Sequence, residues 1–207
     1  MIRTIFWNRD ERRLRFGWRM TGFTLISTLL TVILTALLVP SVRTGVLRFT
    51  DPAVFFRVSL ASLIAYALTT VVTGLALDRR RLRDYGFRFD VAWWRDLAFG
   101  LALGAVLMGL IFLIEWAAGW VTVTGTLQTA QPGGFWGPFL LTIGAFLCLG
   151  IYEEVAFRGI VLTNTAEWLD NFKPLDARGA VIGATVLSAL VFGLLHAMNP
   201  NAGVIST

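Results

Sequence analysis

From Leu97 to Ala118 the chain carries a single charged residue, Glu115. An uninterrupted apolar run of that length is what an α-helix needs to cross the hydrocarbon core of a bilayer, roughly 20 residues for roughly 30 Å. The pattern recurs at about Trp18–Val39, at Ala53–Leu77, from Pro138 onward, and at Gly179–Met198. In hydrocarbon the backbone has no water to bond to, and a helix satisfies its amides and carbonyls internally. The expected fold class is therefore all-α, a polytopic transmembrane helix bundle with about five spans. Composition agrees: 56% of the 207 residues are hydrophobic and 15% are charged, against about 25% charged in soluble domains.

The charges that remain mark the ends of the runs. Of the 18 basic residues only Lys173 is lysine, and the arginines cluster at span boundaries, not along one soluble face. That distribution argues against a nucleic-acid partner, despite the net charge of +5, and for contact with anionic head groups. The first twenty residues hold Arg3, Arg9, Arg12, Arg13, Arg15 and Arg19. The connection at 78–96 is also Arg-rich, whereas the 119–137 loop has no charge at all. The positive-inside rule puts the N-terminus and the 78–96 and 163–178 segments in the cytoplasm of a multi-pass cell-membrane protein. The first run is too long for a signal-peptide core, and Val39-Pro40-Ser41 is a poor cleavage site, so an uncleaved helix is expected. Trp7, Trp18, Trp93, Trp94 and Trp168 fall near inner interfaces. Trp116, Trp120 and Trp136 fall near outer ones.

Two regions follow: residues 1–96, with the N-terminal segment, two spans and an interfacial connection, and residues 97–207, a membrane core. Gly100 with Gly104 and Gly179 with Gly183 have the small-xxx-small spacing of close helix contacts. Cys148, the sole cysteine, lies in an apolar run and reads as a small packing residue.

Within this apolar core, Glu153 and Glu154 stand side by side, with Arg158 four residues on. Carboxylates at membrane depth are costly and mark functional sites. On a helix Glu154 and Arg158 share a face and can pair. Glu153 diverges by about 100° and is left free to exchange protons. His196, the only histidine, lies on the next apolar run, and Phe192 one turn earlier can pack against its ring. For Glu153 to reach the depth of His196, its helix must run on to about Leu169. No Gly or Pro between Thr163 and Leu169 prevents that.

Glu-Glu-x-x-x-Arg on one helix, then Phe-x-x-x-His on the next hydrophobic segment, resembles the CAAX protease and bacteriocin-processing family, which includes the type II CAAX prenyl endopeptidases. The resemblance covers about residues 138–200. It implies an intramembrane endopeptidase acting on a peptide or protein substrate within the bilayer. Glu153 would activate the attacking water with help from His196, while Glu154 and Arg158 complete the acidic motif. Two chemistries stay open: water activated by Glu and His alone, or water on a divalent metal such as zinc, with His196 and Glu153 among its ligands.

The family's third motif, His-x-x-x-Asn or His-x-x-x-Asp on a later helix, has no counterpart after His196. The chain is thus expected to be C-terminally truncated, lacking further spans, and inactive by itself. Two rival readings are a non-catalytic membrane partner, such as a bacteriocin-immunity or sorting factor, and a proton-coupled transporter.

Overall fold

The computed structural model describes residues 5–8, 11–45, 47–129, 134–172, 174–197 and 199. The expected end of the fifth span at Met198, together with Lys173 and residues 200–207, lies outside the described residues. Among the described residues five helices are long and apolar enough to cross a membrane: α1 (Phe16–Leu38), α2 (Pro52–Asp78), α3 (Val91–Ala117), α4 (Trp136–Asp170) and α5 (Ala177–His196). Ahead of α1, strands β1 (Trp7–Asn8) and β2 (Arg13–Leu14) pair antiparallel, with Trp7 opposite Leu14.

Two compact units are formed. One joins the chain up to Gly86 with the chain from Phe139 onward, and the other covers Phe87–Pro138. The second unit contains α3. Its helix starts at Val91 rather than near Leu97, because the Asp90 carboxylate accepts the Trp93 amide at 2.9 Å and caps the first turn. Trp93, Trp94, Arg95 and Asp96, expected in an interfacial connection, therefore belong to the helix itself.

The first unit is built inside out relative to a water-soluble protein. Along Pro52–Thr73 of α2 the buried residues are small or hydroxylated: Ser59, Ala61, Ser62, Ala65, Thr69, Thr70 and Thr73. This helix packs against α1, where Arg19, Phe23 and Ser27 are buried. Leu25, Leu29, Val32 and Leu37 of α1 point outward, as do Ile182, Leu190 and Leu194 of α5. Small residues let backbones approach closely in a bilayer, and large apolar side chains face the lipid without cost. Two of these hydroxyls bond the helix's own backbone: Ser62 donates to the Val58 carbonyl at 3.0 Å and Thr73 to the Thr69 carbonyl at 2.7 Å. Among the glycine pairs of the sequence, Gly183 provides such an approach. A Cβ there would lie 3.0 Å from Leu169 Cδ1 of α4.

Two helices change pitch, α2 at its end and α4 near its middle. Residues Gly74–Asp78 of α2 and Val155–Val161 of α4 are π-helical. After its π turn α4 resumes as an α-helix through Leu162–Asp170. It thus extends past Leu169, as a meeting of Glu153 with His196 requires.

Candidate functional site

Glu153 lies midway along α4, equally far in sequence from Trp136 and Asp170, and two residues before the π turn. α5 packs against the far half of α4, and His196 is its last helical residue. The two meet: His196 Nε2 is 3.8 Å from Glu153 Oε1. Their side chains are 37% and 19% exposed respectively, so the pair is partly sheltered yet reachable.

His196 is oriented from behind. Its Nδ1 is 2.8 Å from the Phe192 carbonyl oxygen. A carbonyl can only accept, so Nδ1 carries the proton, and the lone pair of the neutral ring sits on Nε2, toward Glu153. The Phe192 ring lies over the imidazole with centroids 4.3 Å apart. Phe192 in turn meets Phe157 edge-on at 5.0 Å, and the Arg158 guanidinium sits 4.9 Å from its centroid. One further turn back, Ser188 donates to the Phe157 carbonyl at 3.2 Å. Ser188, Phe192 and His196 recur every four residues and so form one stripe of α5, running antiparallel to the 153–158 stretch of α4.

Glu154 and Arg158 form the ion pair their spacing suggests, with Arg158 Nη1 3.2 Å from Glu154 Oε1. Both side chains are half exposed or more. The structure thus splits the four residues into two pairs: Glu153 with His196 between helices, and Glu154 with Arg158 along one helix. The stripe on α5 ties them together, since Phe192 touches both His196 and Arg158.

A metal is not accommodated by these groups alone. Glu153 and His196 supply two converging donors, and Glu154 is turned to Arg158. Among the described residues no three His, Cys, Asp or Glu side chains come close enough to hold an ion. A catalytic zinc takes three protein ligands.

The structure also contains an ionic cluster that the sequence did not reveal. Arg19, placed by sequence among boundary arginines, is 97% buried, as is Asp78 at the end of α2, and Arg19 Nη1 lies 3.3 Å from Asp78 Oδ1. Arg19 Nη2 reaches Glu167 Oε2 at 3.2 Å, and Arg80 reaches Glu167 Oε1 at 2.9 Å. Arg13 pairs with Glu167 as well, bonds Glu11 at 2.8 Å and donates to the Asp78 carbonyl at 3.2 Å. Asp78 Oδ2 accepts from Tyr85 Oη at 2.5 Å and from Asn164 Nδ2 at 2.9 Å. Burial, reinforced by that bond to Asp78, pushes the Tyr85 phenol well above its ordinary range. For Arg13 burial is the largest influence and acts downward, but bonding to Glu167 and Glu11 outweighs it and leaves the guanidinium raised. The available signal was Asp78 ending an apolar span, with Asn164 and Glu167 three apart on a helix face.

Five apolar helices among the described residues define a multi-pass membrane protein, with a carboxylate and an imidazole brought together between two of them. Residues 135–207, the stretch carrying that site, match the family model for Rce1-like type II CAAX prenyl endopeptidases. The matched stretch is about a third of the chain, and it is similar to that family of prenyl endopeptidases. The chain is also similar to a Schizosaccharomyces pombe protein described as an uncharacterized amino-acid permease, with 28% identity over 145 residues. That similarity covers 67% of this chain and 25% of the relative, so the chain spans about a quarter of that protein's length. No solved structure matches the chain.

Proposed function

We propose that this chain carries the acid–base half of an intramembrane endopeptidase of the CAAX type, with its N-terminus in the cytoplasm. The observation that supports this reading is the 3.8 Å approach of Glu153 Oε1 to His196 Nε2, from two different spans inside the family-matched stretch. That separation is too long for a direct hydrogen bond. It suits a water held between the two, donating one hydrogen to the carboxylate and the other to the Nε2 lone pair.

In the proposed reaction Glu153 takes a proton from this water as the oxygen attacks the scissile carbonyl of a peptide substrate. The C–O bond forms, the carbonyl π electrons move to oxygen, and collapse of the tetrahedral adduct breaks the C–N bond. The abstracted proton passes from Glu153 to the departing amine. His196 keeps the water aligned, held by Phe192 from behind. Arg158 fixes Glu154 and adds positive charge near the adduct, where it favours an oxyanion. A divalent metal such as zinc would bind Glu153 and His196 only with a further ligand from outside this set.

The test is cleavage of a membrane-anchored peptide substrate by the full-length protein. Glu153→Gln keeps shape and removes the base, and should lower kcat at least about 10²-fold. Cleavage at the wild-type rate in Glu153→Gln would overturn the assignment.

The permease similarity favours one alternative, a transporter in which Glu153 and His196 pass protons. It would show as proton-coupled uptake of an amino acid into vesicles, abolished by Glu153→Gln, with no peptide cleaved. A non-catalytic partner would keep its biological function in Glu153→Ala.

A further inference from the structure

The π turn of α4 separates two faces that an ordinary helix would merge. Each α-helical residue advances about 100°, so in an unbroken helix Asn164 would return to within about 20° of the Glu153 direction and Glu167 to within about 40°. A π turn accommodates one extra residue and displaces everything after it by about 100°. Hence Glu153 faces His196 on α5, while Asn164 and Glu167 face Asp78 and the arginines.

Such a turn is rare and must be held. Leu162 donates its amide to Phe157 O, five residues back, and Ser188 donates to the same carbonyl. The Ile160 carbonyl accepts Asn164 Nδ2 at 3.0 Å. The same nitrogen donates to Asp78 Oδ2, so a fully buried side chain ties the turn to α2. Gly159 lies under Tyr85, where a Cβ would meet the Tyr85 carbonyl oxygen at 3.6 Å and Tyr85 Cβ at 3.7 Å. The Tyr85 ring covers Gly74, in the π turn of α2, where a Cβ would sit 3.1 Å from Tyr85 Cε2. The two π turns are thus clamped to one another through Tyr85, Asp78 and Asn164.

We propose that Asn164, anchored on Asp78, is a positioning residue that holds the π turn of α4 and thereby aims Glu153 at His196. It touches neither group of the pair. Its effect on cleavage rests on the proteolytic reading above, whereas its effect on the geometry of the pair does not.

The experiment uses the full-length protein in membranes, in a Cys148→Ser background, with Glu153→Cys and His196→Cys joined by a short bifunctional thiol reagent. Phe55→Cys with Phe146→Cys, whose parent rings lie 5.4 Å apart, serves as a control between α2 and α4. Adding Asn164→Ala should lower bridging at the first pair several-fold and leave the control pair unchanged. In the otherwise native chain it should reduce kcat by up to about 10²-fold, the cost of a misplacement near 1 Å, with KM little altered. If Asn164→Ala does not accumulate in membranes, Tyr85→Phe, which removes only the hydroxyl bonded to Asp78, carries the same comparison with a smaller drop. Unchanged bridging at the first pair, or an equal fall at both pairs, overturns the proposal. Absence of cleavage by the native chain defeats the proteolytic reading but leaves the bridging ratio to decide the positioning role.

Discussion

Asp78→Asn is the most informative single change in the cluster beneath the site. The Asp78 side chain is 97% buried, with Arg19 Nη1 3.3 Å from one oxygen and the Tyr85 and Asn164 donors at 2.5 and 2.9 Å from the other. Three cations, Arg13, Arg19 and Arg80, are balanced there by Glu11, Glu167 and Asp78. The substitution leaves one buried positive charge uncompensated and puts an amide where an oxygen had received donors. Breaking a buried ion pair from one side costs about 3–5 kcal/mol. In a chain of this size 1 kcal/mol shifts Tm by about 2–4 °C, so a fall of about 6–20 °C is expected. The assay is thermal unfolding of the detergent-solubilised protein followed by tryptophan fluorescence. Arg19→Gln should cost a comparable amount, and the double variant clearly less than the sum, because each single change strands the other's charge. A shift below about 2 °C for Asp78→Asn, or strict additivity in the double variant, would refute the view that the pair is buried and coupled.

Three further outcomes follow from the geometry. Glu154→Gln should change unfolding stability by about 0–1 kcal/mol in the same assay, since the Glu154–Arg158 pair is half exposed. Gly144→Ala should destabilise by about 1–3 kcal/mol, because a Cβ there would sit 2.9 Å from the Phe56 ring. The raised phenol of Tyr85 stabilises the fold in its protonated form. That contribution is whole below the unfolded tyrosine pKa of about 10 and is lost as pH rises beyond it. Denaturation midpoints above that pH should fall less steeply in Tyr85→Phe than in the wild type.

The sequence by itself determined the membrane class and the number of spans, because one-dimensional apolar length is what a bilayer selects. It also determined the Glu154–Arg158 pair, since four-residue spacing on a helix is a local property, and it singled out Glu153 and His196 by their cost at membrane depth. The start of α3 at Val91 was less legible, because the Asp90 cap competes with an interfacial reading of the same charged and aromatic residues. Only the tertiary structure decided what faces what. It brought Glu153 within 3.8 Å of His196 from a separate helix, and it gathered Arg13, Arg19, Asp78, Asn164 and Glu167 from distant parts of the chain. The π turn at Val155–Val161 is the physical reason these two groupings are distinct. A helical wheel drawn from sequence assumes about 100° per residue throughout and would superpose Asn164 on Glu153. One extra residue in one turn, held by contacts from α2, Tyr85 and α5, moves them apart.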